Sequence, residues 1–172
     1  DLIYDYLNPI IESLKKEKNE IHDFTWIAPS DSFWGKSTRT AACFYNLIDS
    51  SLTPGKNPIR IYNPKLYLPI QDASDRQTIN KWKQDFPKNL SNTYGLVEGF
   101  LDGNVEILLL PNHLAIVYYH ISRPESLPAS LPLGFISTDK EMVKHVQVIV
   151  EDYISGTVSF DKPRLLGSIE KL

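Results

Sequence analysis

The sequence predicts an α/β domain with a mixed, largely parallel sheet flanked by helices, arranged as a three-layer sandwich. Three observations carry that reading. Apolar residues recur at helical spacing in some segments and in short β-branched or aromatic runs in others. Strand, helix and strand succeed one another between Ile21 and Tyr62, the length and order of a βαβ unit with a right-handed crossover. The chain has 172 residues, 42% hydrophobic and 23% charged, which suits a single domain over 1–172. A domain of that size buries roughly 70% of its unfolded surface and folds without staples.

The elements follow in order. Leu2, Ile3, Tyr6, Leu7, Ile10, Ile11 and Leu14 sit at helical spacing. Asn8-Pro9 predicts a restart within that helix, with Asn8 as N-cap and Pro9 in the first turn. Ile21 to Ala28 reads as a buried strand, with Phe24, Trp26 and Ala28 on one face and Thr25 and Ile27 on the other. Pro29-Ser30-Asp31-Ser32 breaks it, and a helix from Arg39 to Leu52 carries Ala42, Tyr45 and Ile48 along one stripe. Pro54-Gly55 turns the chain into a short strand, Ile59 to Tyr62.

Asp72 to Phe86 is the next helix, with Ile79, Trp82 and Phe86 on one stripe and Pro87 as its stop. Leu96–Leu101 and Val105–Leu110 are strand-like runs around Asp102-Gly103-Asn104, which predicts an antiparallel hairpin. Leu114 to Ile121 is a further strand, and the proline-rich stretch Arg123 to Pro132 a loop. Thr138 and Glu141 form a capping box for a helix presenting Met142, Val146, Ile149 and Tyr153, with Gly156 just past its end. Thr157 to Phe160 is a weak last strand.

Composition narrows the function. The single cysteine, Cys43, excludes a disulfide framework and a Cys-based zinc site and points to a reducing compartment. The net charge of −3 argues against a broad nucleic-acid footprint. The apolar run Leu114 to Tyr119 is far too short for a transmembrane segment. With neither a secretory signal nor an initiating Met, the expectation is a segment of a larger cytoplasmic protein.

Gly35-Lys36-Ser37-Thr38 follows a strand and precedes a helix, as a phosphate-binding loop does. That loop needs an earlier glycine so that its N–H groups can wrap phosphate, and Ser30 stands there, so Ser37 or Thr38 serves equally as a helix cap. The four histidines do not form a metal set, since His113 and His120 lie seven residues apart, on opposite faces of one strand. Glu98, Asp102 and Glu106 flank the proposed hairpin, where charged groups are solvated. Phe33 and Trp34 fall in a polar loop with Asp31, Ser32 and Lys36, where aromatics either mark a contact site or fold back as a lid over the sheet edge.

His113-Leu114-Ala115-Ile116-Val117-Tyr118-Tyr119-His120 occupies the frame of His-x-Lys, four residues, then Asp. A loop follows, then Leu133-Gly134-Phe135-Ile136-Ser137-Thr138-Asp139 and a long amphipathic helix. Over residues 57–154 this order of elements resembles one half of a phospholipase D-like domain, with one signature residue of three present. In active members, the resemblance implies, the histidine attacks phosphorus and the lysine clamps phosphate oxygens. Here Ala115 and His120 replace the lysine and the aspartate, so the fixed counter-charge is missing and the copy reads as degenerate and catalytically silent.

The sequence therefore predicts a non-catalytic ligand- or protein-binding module, sensory or interactive, with no cofactor, no metal and no catalytic residue. In open α/β sheets ligands favour the crevice beyond the carboxyl ends of the strands. The expected binding residues are Phe33, Trp34, Lys36, Ser37, Arg39, Arg60 and His113. Lys36, Arg39 and Arg60 would supply positive charge to a small anionic ligand. The partner is a protein or that ligand, and pairing with a second copy is a further expectation. The alternative is an enzyme: a nucleotide hydrolase using residues 30–38, or a phosphodiesterase using His113.

Overall fold

A computed structural model describes residues 2–14, 16, 22–29, 39, 43, 44, 47, 62–121, 131–155 and 165–172. Its elements are α1 (Leu2–Leu14), β1 (His22–Ile27), β2 (Tyr62–Ile70), α2 (Arg76–Asp85), β3 (Thr93–Val97), β4 (Val105–Leu110), β5 (Leu114–Ile121), β6 (Leu131–Ser137), α3 (Lys140–Ser155) and β7 (Leu165–Ser168). The strands form one seven-stranded sheet in the order β6-β5-β4-β1-β2-β3-β7.

This is an α/β domain, but its sheet is mostly antiparallel. Only β1–β2 and β2–β3 run parallel, and the four other pairings are antiparallel. The predicted Leu96–Leu101/Val105–Leu110 hairpin does not form, because β1 and β2 lie between β3 and β4. Asp102-Gly103-Asn104 instead ends a connection that crosses the carboxyl ends of β2 and β1 before β4 returns beside β1. The expected strand at Ile59 begins, among described residues, at Tyr62 and continues to Ile70.

Pro64 and Pro69 lie inside β2, and each sits where one neighbour is missing. β3 joins only from Leu66, and β1 pairs only as far as Tyr67. A missing N–H is tolerated where no ladder needs it. Pro9 is tolerated inside α1 in a similar way: it faces outward, and Ile3, Leu7, Ile11 and Leu14 bury one continuous stripe that holds the helix together without a restart. Asn8 is no cap there, since its Oδ1 accepts from the Cys43 thiol at 3.8 Å.

Alternation along the strands gives the sheet two apolar faces. On one, Phe24, Trp26, Leu66, Leu68, Leu108, Leu110, Leu114 and Ile116 pack with the α1 stripe, Phe44, Leu47 and Phe86. On the other, Ile27, Tyr67, Leu96, Ile107, Leu109 and Ala115 pack under α3. Of the predicted helix over Arg39 to Leu52, residues 39, 43, 44 and 47 are helical; Ala42, Tyr45 and Ile48 lie outside the described residues, as does the strand expected at Thr157–Phe160.

Two boundaries shift for local reasons. Asp139, not Thr138, caps α3, its carboxylate accepting from the Met142 N–H at 2.9 Å. The helix therefore buries Val143, Val146, Val150 and Tyr153, which leaves Met142 and Ile149 exposed. Likewise α2 starts at Arg76, capped by Asp75 accepting from the Thr78 N–H at 3.2 Å.

Tyr67 stacks on Tyr94, with centroids 5.4 Å apart and planes at 22°. Burial, and secondarily repulsion from Tyr94, pushes its phenol up from 10.0 to about 12. The folded chain holds that proton more tightly than the unfolded chain, so the stabilisation is complete below pH 10 and is lost as pH rises through about 12. Tyr67→Phe is expected to remove about 1 kcal/mol of the stability lost between about pH 8 and about pH 11. Urea denaturation at about pH 8 and about pH 11 checks this; an unchanged pH dependence in the variant counts against it.

Candidate functional site

The parallel strands β2 and β3 end side by side at Ile70 and Val97. From there the chain makes two turns that build a cleft of about 620 Å³, lined by Pro69, Ile70, Gln71, Asp75, Thr78, Lys81, Trp82, Glu98 and Asp102. One turn leads from β2 into α2. There Asp72 accepts from both the Ser74 hydroxyl and the Ser74 N–H, which holds its carboxyl below the usual range. Asp75 is lowered in the same manner by Thr78. Both groups therefore carry full charge near neutrality.

The other turn follows β3. Glu98, Leu101 and Asp102 adopt φ of 60°, 47° and 59°, alongside glycines 99 and 103 at 69° and 71°. Three non-glycine residues in the left-handed region within one short loop store strain that the surroundings must over-determine. The Glu98 N–H donates to Ile70 O at 3.0 Å, tying the loop to β2. A Cβ on Gly99 would come within 2.9 Å of Gly103 Cα, so the loop closes on itself only with glycine there. Tyr153 of α3 clamps the outer turn: its hydroxyl donates to Gly99 O at 3.1 Å, and its ring lies 4.1 Å from that of Phe100. Glu98 and Asp102 are thereby held at the cleft wall.

Trp82 supplies the aromatic surface. Its indole N–H donates to Pro69 O at 3.4 Å and its ring stacks on Phe86. The Lys81 ammonium lies 4.1 Å from the Trp82 ring centroid and also pairs with Asp85 at 3.6 Å. The lining thus holds three carboxylates, one ammonium and one indole. Chemically, that set is suited to binding and orienting a charged group. Among the described residues no three His, Cys, Asp or Glu side chains gather as a metal set.

A second polar cluster is sealed inside the core. Glu106 is 1% exposed and His120 4%. One Glu106 oxygen accepts from the Trp26 indole at 2.9 Å, and the other lies 2.9 Å from His120 Nε2. The expectation that Glu106 is solvated is therefore wrong: β4 runs between β1 and β5, and its even-numbered side chains face the core. The neighbouring Tyr118 phenol is held above its ordinary range, first by burial and then by the Glu106 charge. The Glu106 and His120 side chains are almost wholly buried, and the bonds they make to Trp26 and to each other tie β1, β4 and β5 together.

Of the predicted binding residues, Phe33, Trp34, Lys36, Ser37 and Arg60 lie outside the described residues. Arg39 is exposed, its guanidinium 5.7 Å from the Tyr4 ring centroid on α1. His113 belongs to the turn before β5, not to the strand, and meets His22 edge to face at 5.8 Å. These two are not brought together. The cleft residues were legible only in part, since Trp82 sits on a stripe that reads as core and Glu98 and Asp102 read as hairpin ends. The signal that could have found the cleft is the pair of short turns after β2 and β3, dense in Asp, Ser and Gly.

A scan against protein-family models finds no match for this chain, and neither does a search of curated proteins.

Proposed function

We propose that the domain is a non-catalytic binding module whose cleft at the ends of β2 and β3 takes a positively charged group, such as an amine, a guanidinium or a basic side chain. The observation that carries this reading is that Asp75, Glu98 and Asp102 line one cleft together with Trp82. A cation gains from the ring's negative face and from fixed carboxylates, with cation–π contacts worth about 0.5–2 kcal/mol. The volume falls within the ~300–1,000 Å³ typical of small-ligand sites. Lys81 already lies over the ring as an internal occupant. The sign is opposite to that of the anionic ligand expected from Lys36, Arg39 and Arg60.

The phospholipase D-like kinship belongs to the same proposal. It is supported by the succession of β4, turn, β5, β6 and α3 over residues 105–155. Ala115 buried under α3 and His120 bound to Glu106 stand where that chemistry needs a lysine and an aspartate, which favours binding over turnover. A cytoplasmic setting is part of the proposal too; among described residues no helix is long and apolar enough to cross a membrane.

Calorimetric titration with arginine methyl ester, and with acetate as the anionic control, tests the reading. Binding of the ester alone is expected. Glu98→Gln with Asp102→Asn should weaken it at least tenfold, since hydrogen bonds to charged groups are worth about 1.5–3 kcal/mol each. Lys81→Met should strengthen it by freeing the indole face. Tighter acetate binding, or ester binding that Lys81→Met weakens, would overturn the assignment.

A further inference from the structure

One face of the sheet is only partly covered. On β5 and β6, Tyr119, Ile121, Leu133 and Phe135 project to the α3 side, because Tyr119 pairs with Leu133 and Val117 with Phe135. All four are 38–54% exposed. Gln147, Glu151 and Ile154 of α3 flank a crevice over Asp23, Thr25 and Lys65, which places that flank of the helix over β1 and β2. Met142 and Ile149, at 44% and 46% exposure, lie across the buried stripe from it, on the flank toward β6. The six side chains therefore form one patch: a helical ridge beside a bare shelf of sheet.

We propose that this patch is the contact between two copies of the chain, related by a two-fold axis. Shape favours that occupant. A ridge beside a shelf is complementary to itself after a half turn, each ridge filling the other's shelf, as an isologous interface requires. Area agrees. Side chains that would each carry on the order of 200 Å² in full leave roughly 500–600 Å² of exposed apolar surface, the upper end of what a monomer shows. Two such faces with their polar rims reach the ~1,200 Å² at which stable interfaces begin. An extended peptide added to the β6 edge fits less well. The His120 N–H donates to Asn104 O, so the backbone of its partner Pro132 turns to the open edge, and proline offers no donor there.

Sedimentation velocity over a concentration series tests the proposal with the chain as it stands. A monomer–dimer equilibrium in the micromolar range is expected. Leu133→Asp with Met142→Glu, both at exposed positions, should shift it to monomer with an unchanged circular dichroism spectrum and melting temperature. A second variant, Ile149→Cys with Met142→Cys, should form a disulfide-linked dimer under mild oxidation, because the two positions meet across the axis. A wild-type monomer at every concentration would overturn the proposal, as would a dimer that survives the two charges. A monomer that binds neutral phosphatidylcholine vesicles through the same residues would also overturn it, giving the patch to a lipid surface.

Discussion

Glu106→Ala is expected to cost about 3–5 kcal/mol of folding free energy, the range for removing one partner from a buried pair. The Trp26 indole loses its acceptor and His120 Nε2 its carboxylate partner at once. The Trp26 indole and the His120 ring are both packed in the core, and each buried polar group left unsatisfied costs about 1–3 kcal/mol. The vacated volume adds a cavity, since β4 is buried along its whole length. At about 2–4 °C per kcal/mol for a chain of this size, the melting temperature should fall by roughly 10 °C. Glu106→Gln keeps an oxygen for Trp26 and most of the shape, so its loss should be nearer 1–2 kcal/mol. Urea denaturation distinguishes the two. Equal losses in both variants would mean that the charge, and not the filled and bonded space, is what the core requires.

Gly134→Ala is the second change with a large expected effect. A Cβ at that position would fall 1.8 Å from Val117 O and 2.8 Å from Tyr118 Cα, both backbone atoms of β5. Backbone in a paired strand cannot swing aside as a side chain can, so β6 must move away by more than an ångström. The β5–β6 ladder from Ala115–Ser137 to Ile121–Leu131 would then loosen. A loss above about 3 kcal/mol is expected, the range reserved for strain and broken pairing. Hydrogen exchange should show the loss concentrated in β5 and β6. A melting temperature within a degree or two of wild type would show that β6 yields easily.

Where one physical signal dominates, the sequence and the structure agree. β4 and β5 appear at the expected residues, because predominantly apolar runs between turn formers admit few other readings. Of β2 only the beginning was foreseen, in the strand expected at Ile59–Tyr62, because Pro64 and Pro69 argue against a central strand beyond it. Their tolerance depends on how far β1 and β3 extend beside them, which no local pattern encodes. The supposed hairpin failed for a related reason. Asp102-Gly103-Asn104 carries the chemistry of a tight turn, and tight turns also terminate longer crossings, so only strand order separates the cases. On α3 a one-residue change of cap, from Thr138 to Asp139, goes with a buried stripe of Val143 and Val150 in place of Met142 and Ile149. The candidate cleft was hidden for the same kind of reason. Asp75 and Trp82 belong to one helix and its cap, Glu98 and Asp102 to one turn, and the two pairs line one cleft only because β2 and β3 end together.

The pairing of β3 with β7 bears on how the chain is born. β3 leaves the ribosome roughly 70 residues before β7 does, an interval of about 3–14 seconds at typical synthesis rates. Through that interval the nascent chain carries β3 with an unpaired flank, and Ile169 and Leu172 are not yet available to pack beside Ile70, Ile79 and Leu90. A stall in translation within this window would present a sticky border to neighbouring nascent chains, and chaperone capture should be greatest there.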